Sequence, residues 1–413
     1  MRMRTLYFAV AFGAFLASPF TSAANEGGFE AALRATLTRH PAVSGKEAEV
    51  EAKGYGGDAA RAQRYPSLSA QASADNETTP STLRVRQPVW AFGRIDAGIA
   101  YAEADQIVEQ ADLLRVKRQL LDQTATAYAR LQGIYERLRV SEGNIDSLSA
   151  LFERIQRRAE GQLASSADVR LAFARLIQAR AQKSRLEGEL ALARTDLYAL
   201  TQMPVNAQQA VPGEYAQLSA ASELKARAQE NSADVLLSAQ KVALARAERD
   251  REKTASRPTV YLQAERFFGQ SRSFNDDERL SVVLEANLEG LGFVAAGRNK
   301  SASARLNASQ ENLRVTRNDL DRTVDSLYAN RKMQEAVMRS QYQSVQELAE
   351  ILASYQRQYE AGHKAWLDVL NMQRELTEQQ LQLVQAENDW LIYSLRLAAL
   401  SGGLDAAAGL QQE

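Results

Sequence analysis

Between residues 95 and 160 apolar positions recur at intervals of three and four, as in Leu131, Ile134 and Tyr135, Leu138, then Ile145, Leu148, Phe152 and Ile155. That period predicts one long amphipathic helix. A second run, from about 295 to 360, keeps a stricter repeat. Leu306, Leu313, Leu320 and Leu327 lie seven apart, and the same register continues through Gln334, Gln341, Leu348 and Tyr355, a heptad with a polar break in its middle. Each run covers roughly 65 residues and would extend about 100 Å. Helices of that length cannot close around a compact core, so they must pack along one another. Four shorter runs, 29–63, 168–201, 222–256 and 367–401, are each about half as long. Two of them stacked end to end match one long helix.

Between the helices the period changes from three and four to two. In "YPSLSAQASAD" Leu68, Ala70 and Ala72 alternate with serines and Gln71, and in "TLRVRQPVW" Leu83 and Val85 alternate with Arg84 and Arg86. The later stretches "RPTVYLQAERFFGQ" and "RLSVVLEANLEG" repeat the pattern, with Leu280, Val282, Leu284, Ala286 and Leu288 on one face and Glu285, Asn287 and Glu289 on the other. Strands with one apolar and one polar face are expected. Trp90, Tyr261, Phe267 and Phe268 at or near their ends suit the aromatic girdles of transmembrane strands. A two-sided soluble sheet is the alternative that the strands alone leave open.

The order helix, strand, strand, long helix, turn, helix occurs twice. The two turns are near copies: "EGQLASSADV" ends in Asp168-Val169 and "EAGHKAWLDV" ends in Asp368-Val369. Both mark the tips of helical hairpins, placed at Gly161 and Gly362. The chain thus divides into a first repeat over 25–203, a Pro- and Ala-rich linker over 204–221, a second repeat over 222–402 and a short tail over 403–413. Ahead of them, Arg2 and Arg4, an apolar run to Leu16, Pro19 and small residues to Ala23 predict a signal peptide over 1–24.

Composition narrows the chemistry. The 413 residues include no Cys and two His, with 50 basic against 51 acidic residues. No thiol chemistry is available, no basic excess points to nucleic acid, and no catalytic constellation, metal site or cofactor loop is found. Four strands cannot close a barrel, and an open edge in lipid leaves backbone groups without partners. Three copies would supply twelve strands, an even number in the range of outer-membrane barrels.

On the motifs "YPSLSA", "VRQPVWAFGR", "EGQLASSADV" and "EAGHKAWLDVLN", the sequence resembles the TolC-like outer membrane efflux family over 29–401. The resemblance implies a mainly α protein with transmembrane β structure and an internal duplication. Long antiparallel hairpins would form a periplasmic tunnel, and four strands per chain would enter a trimeric 12-stranded outer-membrane barrel in a Gram-negative cell. It implies an exit duct, not an enzyme, without cofactor, working with a periplasmic adaptor and an inner-membrane ABC or proton-driven transporter. It further places a pore constriction at Asp368 and Asn371, where the family often has a second acid at the latter position. A gate latch would join Asp168 to Tyr359 and Lys364. Adaptor docking would fall at Gly161, Leu163, Ala164, Ser165, Ser166, Gly362, His363 and Ala365. Absence of a lipidated Cys favours type I secretion of a protein, such as a large adhesin, over small-molecule efflux. The competing architecture is a periplasmic coiled-coil adaptor.

Overall fold

The computed structural model describes residues 28–72, 81–268, 278–287 and 289–410; the expected signal peptide and most of the two inter-strand loops lie outside them. In chain order the elements are α1 (Phe29–Arg39), α2 (Pro41–Ala62), β1 (Ser67–Ala72), β2 (Ser81–Trp90), α3 (Arg94–Glu160) and α4 (Ser166–Thr201). The second half follows with α5 (Ala221–Asn231), α6 (Ala233–Thr254), β3 (Thr259–Phe268), β4 (Glu278–Glu285), α7 (Phe293–Glu360), α8 (Trp366–Leu400) and α9 (Asp405–Ala408). The two long helices run for 67 and 68 residues.

Two of the expected single helices are broken. Pro41 forces His40 out of the helical region, to ψ 126°, and His40 Nδ1 then accepts from the Ala42 amide at 3.2 Å. The second run breaks at Ser232 without a proline, at ψ 124°, where the Ser232 side chain caps the Val235 amide. The apolar period continues across both breaks, which is why periodicity alone joins the segments.

The sheet is antiparallel in the order β1-β2-β3-β4. One cross-strand row pairs Leu68 with Val85, Val85 with Ala264 and Ala264 with Leu280. A bulge between Pro88 and Trp90 ends the regular ladder, where proline has no amide to donate. Both long helices leave the sheet through one kind of turn, left-handed at Phe92 and Gly93 before α3 and at Leu291 and Gly292 before α7.

Within the helical part, α3 and α7 run the full length. The upper half of α3 is tied to α2 by Lys46–Glu109 and Lys53–Asp105, each 2.7 Å. Its lower half packs on α4 and α8, where an ideal Cβ on Gly133 would fall 2.6 Å from the Asn388 side chain, so any larger residue there would have to displace that amide. Likewise α7 meets α6 through Arg305–Glu248 above and α8 through Gln341–Gln382 below. Thus α2 stacks over α4 and α6 over α8, giving four staves.

Buried apolar residues collect at mid-height, where both halves meet: Phe29 and Leu33 of α1, Leu121 and Tyr128 of α3, Leu197 of α4, Leu395 of α8 and Leu404 just before α9. The expected tail is part of this core. Arg118 on α3 binds Asp405 through Nε and Nη2, at 3.1 and 2.7 Å to Oδ2, and also donates to the Asn231 carbonyl. The chain exposes 26303 Å², whereas a compact protein of 45.6 kDa exposes roughly 16,000 Å².

Candidate functional site

On the sheet, sequence alternation is converted into an inverted pattern of exposure. Leu280, Val282 and Leu284 of β4 are 72%, 73% and 65% exposed, while Gln263 and Glu265 of β3 are 7% and 8% exposed. Water-soluble sheets shelter the apolar face; here the polar face is sheltered. Arg84 Nε reaches Glu265 at 2.5 Å, Arg86 Nε reaches Gln263 at 2.7 Å, and Arg86 Nη1 lies 3.2 Å from Glu285. Arg94, the first residue of α3, donates to Thr259 and Tyr261 on the same face. The apolar face has the chemistry of a lipid contact, and the polar one that of a wet lumen.

At the far end of the helices the two hairpin tips share one backbone. The left-handed residue is Gln162 in the first (φ 57°) and Gly362 in the second (φ 79°). The following amides, Leu163 and His363, bond back to the Arg158 and Gln358 carbonyls, each at 2.8 Å, closing both helices in the Schellman manner. Gly161, where the first turn was expected, keeps φ −85°, so the special conformation falls one residue later. Gly161, Leu163, Ser165, Ser166, Gly362, His363 and Ala365 are exposed, and Ala164 is half-buried.

Side chains differ between the tips, and the difference decides what each aspartate does. Ser165 and Asp168 form a reciprocal cap: the Ser165 hydroxyl accepts from the Asp168 amide at 3.1 Å, and Asp168 Oδ2 accepts from the Ser165 amide at 3.0 Å. Ala365, at the matching position, has no hydroxyl, and Asp368 is left 3.7 Å from Lys364. The remaining oxygen of Asp168 accepts from Trp366 Nε1 at 3.0 Å. Within the chain, therefore, the expected latch residues do not meet. Tyr359 is buried with the Arg158 guanidinium 5.0 Å from its ring centroid, and Lys364 Nζ lies 4.1 Å from that of Tyr355. Trp366 takes the place on Asp168 that the resemblance gave to Tyr359 and Lys364. An indole in the second phrase where the first has Ser166 was the only sequence signal for it.

Hydrogen bonds from the Ser165 side chain, then its amide, then Trp366 hold the Asp168 carboxyl below its ordinary value of 3.8. A depressed carboxylate contributes its stabilisation above the ordinary value and loses it as pH falls through the folded one. In protein whose other tryptophans are replaced by Phe, Trp366 emission is therefore expected to stay constant from pH 7 to about 4 and to shift only below that. Asp168→Asn should remove the acid transition; a transition near neutrality would show that another group controls the tie.

Above the tips, α4 and α8 flank a groove floored by Asn144 and Leu148 of α3. It has a volume of about 390 Å³, with Arg175, Gln178, Gln182 and Arg185 along one wall and Asn371, Arg374 and Glu378 along the other. Asp368 is half-buried and Asn371 exposed, one helical turn apart.

The outer membrane efflux protein family matches this chain twice, over 32–201 and 224–403. Among solved structures, the chain is similar to the CusC channel, with a TM-score of 0.78 at 16% identity, covering 90% of this chain and 91% of that one. It is similar also to the outer membrane protein VceC from Vibrio cholerae, with a TM-score of 0.76 at 18% identity, covering 91% and 96%. The open state of the Neisseria gonorrhoeae MtrE outer membrane channel gives 0.75 at 16%, covering 93% and 90%. At these identities the likeness is one of fold. No curated protein sequence matches significantly.

Proposed function

The chain belongs to the outer membrane efflux protein family, and from that premise we propose that it is one third of a trimeric exit duct joining the periplasm to the cell exterior. The observation that carries this is the inverted sheet, whose exposed face is apolar and whose sheltered face is a ladder of charges and amides. Three copies, at four strands each, supply twelve strands, and β4 of one copy runs antiparallel to β1 of the next, so closure leaves no edge. The helices support the same assembly. The outermost helices of the chain expose apolar side chains, Phe173 and Ile177 on α4 and Met333 and Val337 on α7, which neighbouring copies would cover. Stability of the duct then belongs to the trimer rather than to the chain.

At its periplasmic end the duct would meet an adaptor on the exposed tips around Gly161 to Ser166 and Gly362 to Ala365, and through it an inner-membrane transporter. Asp368 would form the acidic ring at the mouth, with neutral Asn371 one turn deeper, and the Trp366–Asp168 tie would hold the two tips of each copy together. A groove of small-molecule size beside Asn371 weighs toward small-molecule efflux as the cargo class, the reverse of the lean toward protein secretion taken from the lack of a lipidated Cys. Native mass measurement in detergent is expected to give a trimer, and planar bilayers a channel. A folded, stable monomer would overturn the duct. Ser165→Trp should abolish crosslinking to the adaptor while the trimer persists, because a bulky ring keeps a partner helix from the tip backbone; retained crosslinking would show that docking lies elsewhere.

A further inference from the structure

We propose that the groove between α4 and α8 is a binding site for small organic anions with an apolar body, such as aromatic sulfonates and carboxylates. Its charged lining comprises Arg175, Arg185 and Arg374 against the single carboxylate of Glu378, an excess of two positive charges. None of the three guanidinium groups has an acidic partner among the described residues, and Arg175 has only Gln178, at 3.0 Å. Arginines that stabilise a fold are ordinarily paired, as Arg118 is with Asp405. Here the planar forks stand without a carboxylate partner beside Leu148, Leu370 and Leu381, an arrangement that offers bidentate hydrogen bonds to an oxyanion next to apolar side chains. The volume is of ligand-site size.

Helix geometry keeps these groups together. Arg175, Gln178, Gln182 and Arg185 are three, four and three residues apart, one stripe of α4, and Asn371, Arg374 and Glu378 form the facing stripe of α8. Asn371 matters by what it lacks: a carboxylate there would add a second acidic group to that of Asp368 directly beside the groove, and the amide does not. Further along, Arg279 and Arg94 on the polar face of the sheet also lack acidic partners among the described residues, Arg279 lying over Phe267 and Arg94 donating to Thr259. An anion leaving the groove would meet positive charge again on its way out.

The inference rests on the duct reading, so assembly and channel activity are measured on the same preparations. Calorimetry of the full-length protein in detergent with naphthalenesulfonate is expected to show saturable binding. Naphthylmethylammonium, of similar body and opposite charge, should bind at least about tenfold more weakly. Arg175→Gln with Arg374→Gln should weaken sulfonate binding by about tenfold or more, and Arg185→Glu alone should also weaken it, since both changes remove charge from exposed or half-exposed positions. Equal binding of the two probes, or unchanged binding in both variants, overturns the site. If the trimer conducts and yet shows either result, the groove proposal alone fails; a protein that binds the sulfonate but forms no channel refutes the duct and leaves the site standing.

Discussion

Val282→Arg is expected to abolish trimer formation, whereas Ser281→Arg, one residue earlier on the same strand, is expected to leave it intact. Val282 lies on the exposed apolar face of β4, and Ser281 on the polar face opposite Gln263. An arginine in the lipid-facing band of a barrel costs about 2 to 4 kcal/mol near the bilayer midplane, hence about 6 to 12 kcal/mol for three copies. Facing a wet lumen, the same side chain costs little. A heat-modifiable trimer band on gels reports the outcome. Trimer in both variants, or in neither, would mean that the two faces of the sheet do not separate lipid from water.

A second large effect is expected at mid-height. Asp405 is buried and Arg118 is mostly covered, and Arg118 is the ion-pair partner that Asp405 has. Removing one member of such a pair strands the other charge, at a cost of about 3 to 5 kcal/mol. Arg118→Ala should therefore lower the thermal midpoint of helix loss sharply and release the C-terminal segment to protease. The double change Arg118→Met with Asp405→Leu should recover most of the loss, because apolar side chains of similar size need no partner there. A single variant that melts with the wild type would place the anchorage of α9 in Leu404, Ala407 and Ala408 alone.

What could be read from the sequence was what repeats at short range. The heptad from Leu306 to Leu327 and the alternation from Leu280 to Leu284 each depend on neighbours within a few residues, and α7 and β4 followed from them. Tip geometry was legible only in part. The phrase "EGQLASSADV" marks a turn, but glutamine rarely adopts positive φ, so attention falls on Gly161 rather than Gln162. Contacts that close large loops carried no local sign. Trp366 meets Asp168 across 198 residues and Arg118 meets Asp405 across 287, and neither pair can be recognised until the hairpins have been laid side by side. The polarity of the sheet was legible as alternation, but which face turns outward was not, since period two is the same for a soluble strand and a lipid-facing one.

The pairing of β2 with β3 imposes a timetable on biogenesis. Arg84 and Glu265 are 181 positions apart, so the central ladder of the sheet cannot form while only the first half of the chain is available. Until β3 arrives, β1 and β2 are a bare hairpin with an apolar face, and Arg118 waits still longer for Asp405 near the end of the chain. Contacts of such separation form slowly, because loop closure must precede any gain. During that interval the first half would be open to self-association through its apolar strand face. Truncation just before α9 would accordingly be felt as a failure of maturation, with accumulation of a protease-sensitive precursor, well before any loss of conductance could be recorded.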